Sequence, residues 1–96
     1  MIVRVGDRTV EVLRPVAVVA VAAHPSEASS LLAAGADVVE LPGERLEGPC
    51  AEVADAAEAA IAVLAGAGVL RTRHPVAVRR AVDLLDALES ERRGEG

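Results

Sequence analysis

The first residues of the chain alternate between apolar and polar positions. Apolar runs at residues 2–5 and 10–12 flank the pair Gly6-Asp7. Two short β runs joined through a glycine-containing pair predict a β-hairpin. We therefore expect residues 1–14 to form a hairpin that precedes the main body of the fold.

Three further apolar runs are each followed by a segment with helical periodicity. Residues 16–22 (VAVVAVA) are a continuous run typical of a strand buried on both faces. The pattern then predicts a helix at 24–35, a strand at 37–41, a loop at 44–50, a helix at 50–65, a strand at 69–72 and a helix at 74–88. Strands that alternate with helices indicate an α/β fold with a parallel sheet and right-handed crossovers.

The helices of this pattern start in similar ways and carry apolar stripes. His24-Pro25 and His74-Pro75 both open a helix, because proline suits a first position whose amide has no partner. This shared helix-start chemistry explains the weak internal repeat without duplication. The expected buried positions are Ala28, Leu31 and Leu32, then Val53, Ala57, Ile61 and Leu64, and finally Val78, Val82, Leu85 and Leu88.

Chain length limits how this fold can be completed. A chain of 96 residues allows one domain, divided here into the hairpin 1–14, three βα units at 15–88 and a flexible tail at 89–96. Three βα units cannot close a barrel of eight strands. A narrow parallel sheet also leaves two free edges and an uncovered face. We therefore expect self-association to complete the fold.

Composition excludes several classes of function. The net charge is −5, all ten basic residues are arginine, and Phe, Tyr and Trp are absent. Such a chain lacks both the charge and the stacking rings that nucleic-acid binding needs, and lysine chemistry is excluded. No apolar run approaches the roughly 20 residues that cross a membrane, and the N-terminus has no secretory signal pattern. We expect a cytoplasmic protein with neither nucleic acid nor membrane as partner.

Candidate chemistry gathers at the carboxyl ends of the predicted strands, where ligands bind in such folds. Arg71 and Arg73 alternate along an extended strand and point the same way, next to His74 at a helix start. Two guanidinium groups there predict an anion or phosphate site. The alternative is that the arginines form structural ion pairs with Glu40 and Glu44.

Three other residues have both a chemical and a structural interpretation. His24 and Glu44 are candidates for acid–base catalysis, and His24 is also a candidate metal ligand. The structural alternative for His24 is a helix cap. Cys50 precedes an alanine-rich segment, and we expect it to be buried and inert. The charged residues Arg79, Arg80, Asp83 and Asp86 are expected to form an ordinary solvated helix surface.

Two segments of the chain resemble the dihydropteroate synthase (pterin-binding) family. GADVVELPGE at 35–44 is similar to that family's second strand, and GAGVLRTRHPVAVRRAVDLLDAL at 66–88 to its last strand and helix. The opening hairpin resembles the strand pair that plugs the bottom of those barrels. The resemblance implies a TIM barrel whose central strands are missing here. It also implies an enzyme that condenses a pterin pyrophosphate with p-aminobenzoate in folate synthesis, assisted by magnesium.

The family's functional residues are only partly present. Arg71 matches the last-strand arginine, whereas Arg73 replaces the histidine that follows it. Pro42-Gly43-Glu44 keeps part of the Gly-Gly-Glu run, and Arg45-Leu46-Glu47 replaces Ser-Thr-Arg. Residues 22–24 (AAH) lack the asparagine that holds magnesium, so we expect no cofactor.

These departures lead to three hypotheses. The first is a truncated, catalytically inactive relative that self-associates and keeps a weak phosphate or pterin-pyrophosphate site at Arg71, Arg73 and His74. The second is a transferase-like enzyme whose site of His24, Glu44 and Arg71 is completed between subunits. The third is an interaction protein that docks on a full-length barrel enzyme through its open sheet edge.

Overall fold

The computed structural model describes residues 1–94 and begins with a small antiparallel sheet. Strands β1 (Ile2–Val5) and β2 (Arg8–Glu11) form the predicted hairpin. A two-residue strand, β5 (Leu46–Glu47), pairs with the other side of β1, which gives the order β2-β1-β5. The segment predicted as a plain loop at 44–50 therefore adds a third strand to the hairpin.

A second sheet of four parallel strands forms the centre of the fold. Its strands are β3 (Ala17–Val21), β4 (Val38–Glu40), β6 (Ala51–Glu52) and β7 (Val69–Thr72), in the order β4-β3-β7-β6. The helices are α1 (Ala28–Ala33), which follows a 3₁₀ turn at Pro25–Glu27, α2 (Ala56–Leu64) and α3 (Pro75–Arg92). The predicted α/β class with a parallel sheet is confirmed.

Alternate residues of β3 contact opposite layers of the molecule. Val18 packs with Leu70 and Val78 in the core beneath α2 and α3, whereas Val19 packs with Val3 and Val5 of the hairpin. This alternation follows from the two-residue period of a strand. The hairpin sheet covers part of the face opposite the helices, which we expected to be uncovered.

Both edges of the parallel sheet are short. Strand β4 has three residues, and its Val39 carbonyl accepts a hydrogen bond of 2.8 Å from the Arg8 guanidinium. Strand β6, at the other edge, has two residues. Short edges with a charged side chain across them resist pairing with another strand.

Helix α2 begins later than predicted. Its N-cap is Asp55, whose carboxylate accepts a hydrogen bond of 2.8 Å from the Glu58 amide. The residues before it form β6, which pairs with β7, instead of a first helical turn. Cys50 consequently lies in the connection between β5 and β6, where it is exposed, and the expectation that it is buried is wrong.

Several predicted core positions lie at the surface. Ile61 and Leu64 are 69% and 76% exposed, because α2 packs through its alanine side, with Ala59 fully buried. Leu32 and Leu88 are also exposed. Small side chains let α2 approach its neighbours closely, and the larger ones then face outward.

Helix α3 also differs from its prediction in length. It continues to Arg92, so residues 89–92 of the expected tail are helical, while residues 95 and 96 lie outside the described residues. Arg79, expected at a solvated surface, is 8% exposed. None of the helices in residues 1–94 has the length and hydropathy needed to cross a membrane.

Candidate anion-binding site

The central pair of the site joins the two strands that flank β3. Glu40 is paired in register with Val21, and Arg71 with Val19, so both side chains emerge on the same face of the parallel sheet. The Nε and Nη2 atoms of Arg71 donate hydrogen bonds of 3.2 and 2.7 Å to the Oε1 and Oε2 atoms of Glu40. This two-point contact fixes the plane of the guanidinium.

The surroundings of this pair keep both partners charged. Glu40 is 5% exposed, and its Oε1 also accepts a hydrogen bond of 3.0 Å from the Leu46 amide. The hydrogen bond from Arg71 lowers the pKa of Glu40 below its ordinary value, against the opposing effect of burial. The same hydrogen bond raises the pKa of Arg71. The structural alternative for Arg71, an ion pair with Glu40, is therefore present.

A second carboxylate also contacts Arg71. Glu52 of β6 lies opposite Arg71 in the β6–β7 register, and its Oε1 accepts a hydrogen bond from Nη1. The Glu52 side chain is 70% exposed, in contrast to Glu40. Arg71 is thus held by one buried and one exposed carboxylate.

A cleft of about 250 Å³ opens beside this cluster, at the carboxyl ends of β3, β6 and β7. It brings together three predicted site residues, Arg71, Arg73 and His74. The Thr72 hydroxyl accepts a hydrogen bond of 2.9 Å from the His74 amide and shapes the turn into α3. The full lining is Val21, Glu52, Val53, Ala54, Glu58, Arg71, Thr72, Arg73 and His74.

Arg73 differs from Arg71 in its contacts. It is exposed, and within the described part of the chain its guanidinium has no hydrogen bond or ion pair. Glu58 also lines the cleft, and its carboxylate accepts a hydrogen bond of 2.7 Å from the Ala54 amide. The cleft therefore offers one cation without a protein partner among residues 1–94 and one that carboxylates already hold.

Sequence reasoning missed Glu52 and Glu58 as lining residues, because it placed the whole segment in one helix. The spacing Asp55-x-x-Glu58 is a capping-box pattern that marks a helix start. Because this pattern places the start of α2 at Asp55, it leaves the residues before Asp55 outside the helix, where they can form a strand.

Glu44 lies outside this cleft and contacts the hairpin. Its carboxylate accepts hydrogen bonds of 2.7 and 2.6 Å from Nε and Nη2 of Arg8, and one of 3.0 Å from the Leu41 amide. The bonds from Arg8, with that from Leu41, lower the pKa of Glu44 to about 2. Gly6 makes room for it, since a Cβ there would lie 3.2 Å from Glu44 Cγ. This geometry makes Glu44 a tether between the hairpin and the segment after β4.

His24 is also outside the cleft. It is exposed and precedes the 3₁₀ turn, where the Glu27 carboxylate accepts hydrogen bonds from the Ala23 and His24 amides at 2.7 and 2.8 Å. His24 is the N-cap of this turn, and the Glu27 carboxylate satisfies the two amides that precede it.

The residues present do not fit the magnesium site that the resemblance implies. The end of β3 continues into Ala22 and Ala23 where the family has asparagine. Among residues 1–94, no three His, Cys, Asp or Glu side chains are grouped so that they could hold a metal ion.

The fold and the cleft define a small α/β protein with two arginines at the carboxyl end of β7, a central strand of its parallel sheet. Comparison with protein-family models finds no match, and comparisons with curated proteins and with solved structures find none either. Function is therefore inferred from the cleft and from the order of the strands.

Proposed function

We propose that the chain is a catalytically inactive, self-associating α/β module that binds a phosphate-bearing small molecule in the cleft of Arg71, Arg73 and His74. The observation that carries this proposal is Arg73, an exposed guanidinium without a protein partner among residues 1–94, in the same cleft as Arg71. A guanidinium presents forked donors that match the oxygens of a phosphate group.

The order of the strands supports a truncated relationship to barrel enzymes of the dihydropteroate synthase type. The last strand, β7, pairs with β3, the first strand of the parallel sheet, as the first and last strands of a closed barrel do. The hairpin packs against Ala17 and Val19, where the resemblance places a plug at the bottom of the barrel.

Several of the residues that the resemblance requires for catalysis are missing from this chain or held by other side chains. The metal-holding asparagine is replaced within residues 22–24, and no lysine occurs anywhere. Glu44, which matches the family's Gly-Gly-Glu run, is held by Arg8. These departures favour binding without turnover.

Charge balance in the cleft sets the expected ligand preference. Glu52 and Glu58 line the same cleft as the two arginines and offset their formal charge. We therefore expect weak binding that depends on hydrogen bonds from the guanidinium groups, so that pyrophosphate, which offers more oxygens, binds more tightly than inorganic phosphate.

Calorimetric titration with pyrophosphate, at constant ionic strength and without added metal, tests this proposal. We expect saturable binding to the wild-type chain and a loss of roughly tenfold in affinity for Arg73→Ala, because a charged hydrogen-bond donor is removed. Arg80→Ala is the matched control, since Arg80 is exposed on α3 and makes no ion pair within residues 1–94. Equal losses in both variants, or no loss in Arg73→Ala, would contradict a site at the cleft.

A further inference from the structure

The two carboxylates on Arg71 differ in how firmly they are held. Glu40 makes two hydrogen bonds with Arg71, receives a third from the Leu46 amide, and has a side chain that is 6% exposed. Withdrawing Glu40 from Arg71 would leave a buried charge without a partner, which is costly. Glu40 is therefore the permanent partner.

Glu52 makes fewer contacts with its surroundings than Glu40 does. It makes one hydrogen bond to Arg71, through Nη1, and its side chain is 70% exposed on a strand of two residues at the sheet edge. Because water can solvate the Glu52 carboxylate once it separates from Arg71, breaking an exposed ion pair of this kind costs only about 0–1 kcal/mol.

The position of this contact connects it to the cleft. Glu52 and Arg71 both line the cleft, together with Arg73, whose guanidinium has no partner in the part of the chain that the structure describes. A carboxylate that occupies one edge of Arg71 there takes the place that a ligand oxygen would need.

We infer that Glu52 is an internal competitor of the anion, whose carboxylate covers Nη1 of Arg71 when the cleft is free and moves away when a phosphate group binds. Glu40 keeps the guanidinium in its plane during this exchange, and Arg73 supplies the second cation. The inference rests on the proposed function, since it names how the same site is regulated. It assigns Glu52 a role that opposes binding, although Glu52 lines the cleft.

The experiment compares pyrophosphate binding to the wild-type chain, Glu52→Gln and Glu47→Gln by calorimetry. Glu47→Gln is the matched control because it also removes one exposed carboxylate from an arginine pair, with Arg4 on the hairpin sheet. We expect Glu52→Gln to bind roughly threefold to tenfold more tightly and Glu47→Gln to stay within about twofold of wild type. In the background of Glu52→Gln, Arg71→Lys should remove the gain, because lysine lacks the forked donors.

The outcomes separate this inference from the proposed function. If the wild-type chain binds pyrophosphate through Arg73 but Glu52→Gln binds no more tightly, the competitor role is overturned and the proposed function stands. If Glu52→Gln alone binds, the competitor role is supported and the wild-type cleft is closed to this probe. If Glu52→Gln and Glu47→Gln gain affinity equally, the inference is overturned. If neither the wild-type chain nor Glu52→Gln binds pyrophosphate, both the inference and the proposed function are overturned. Thermal unfolding confirms that each variant is folded.

Discussion

Arg79 of α3 donates hydrogen bonds to the Asp37 carboxylate and the Gly35 carbonyl, which lie 42 and 44 residues earlier in the chain. Asp37 also accepts a hydrogen bond of 2.8 Å from the Val18 amide at the start of the sheet. Gly35 has φ +114°, and a Cβ there would lie 2.7 Å from Arg79 Cγ. One buried guanidinium thus connects the last helix to β3 and to the residues that lead into β4.

This relationship predicts a large loss of stability for Arg79→Ala. The Asp37 side chain is 12% exposed. Removing Arg79 would leave this largely buried carboxylate without its main positively charged partner. Breaking buried pairs from one side costs about 3–5 kcal/mol, and we expect a value near the lower end because Arg14 also contacts Asp37, at 3.2 Å. Urea unfolding measures the difference in the free energy of unfolding.

Arg80→Ala provides the control for this prediction. Arg80 is the next residue on the same helix, but its side chain is exposed, and changes at such positions stay within about 0.5 kcal/mol. An unfolding free energy for Arg79→Ala that matches that of Arg80→Ala would show that the buried pair does not hold α3 in place.

A second prediction concerns acid unfolding and the tether between Glu44 and Arg8. Because the pKa of Glu44 falls from 4.5 to about 2 in the folded chain, its contribution to stability is complete above pH 4.5. That contribution decreases as the pH falls from 4.5 towards 2, since the unfolded chain then binds a proton at Glu44 that the folded chain does not bind. Urea midpoints measured across this range should decrease for the wild-type chain.

Two variants test which group is responsible. Glu44→Gln and Arg8→Ala each remove one partner, so both should flatten part of this decrease. Some decrease should remain, because Arg71 also lowers the pKa of Glu40. A wild-type slope retained in both variants would refute the role of the tether.

The hydrophobic pattern is sufficient to predict three of the four parallel strands, and it misses β6. Residues 69–72 form β7 with the predicted bounds, and residues 16–22 contain β3, because uninterrupted apolar runs have few alternatives to a buried strand. The hairpin around Gly6 was predicted for a similar local reason, the turn pair between two apolar runs. Of the candidate site, the proximity of Arg71, Arg73 and His74 could be predicted from adjacent positions at one strand end.

Features that depend on distant partners could not be predicted in the same way. Arg79 looks like a surface residue in the helical pattern, and only the packing of α3 against Asp37 makes it buried. The strand order predicts Glu44 at the strand-end site, yet its partner Arg8 comes from the hairpin, 36 residues away. Ion pairs between residues that are far apart along the chain produce no periodic pattern in the sequence.

A third prediction concerns self-association through the outer faces of α2 and α3. Leu64 and Leu88 are 76% and 53% exposed, and both line a groove of about 550 Å³ beside α3. Clustered exposed leucines favour burial against another surface. Light scattering after size exclusion should give a mass that is a multiple of 9.8 kDa.

Charged substitutions identify the surface responsible. Leu64→Glu with Leu88→Glu should lower the mass to that of one chain, because an apolar contact cannot accept two buried carboxylates. Ile2→Glu is the control, since Ile2 is 61% exposed on the hairpin. A wild-type chain that stays at 9.8 kDa at every concentration would exclude association, and dissociation by Ile2→Glu would place it elsewhere.

The start of α2 gives the last prediction, and its consequence reaches the cleft. The Asp55 carboxylate accepts a hydrogen bond from the Glu58 amide, and the Glu58 carboxylate accepts one from the Ala54 amide. Replacement of such an N-cap by alanine costs about 1 kcal/mol, so Asp55→Ala should lower the free energy of unfolding by that amount in urea titrations. Asp86→Ala, at an exposed position within α3, should change it by less than about 0.5 kcal/mol. Because Ala54 and Glu58 line the cleft, Asp55→Ala should also alter pyrophosphate binding, whereas Asp86→Ala should not. Equal stability of the two variants would mean that α2 does not depend on this cap.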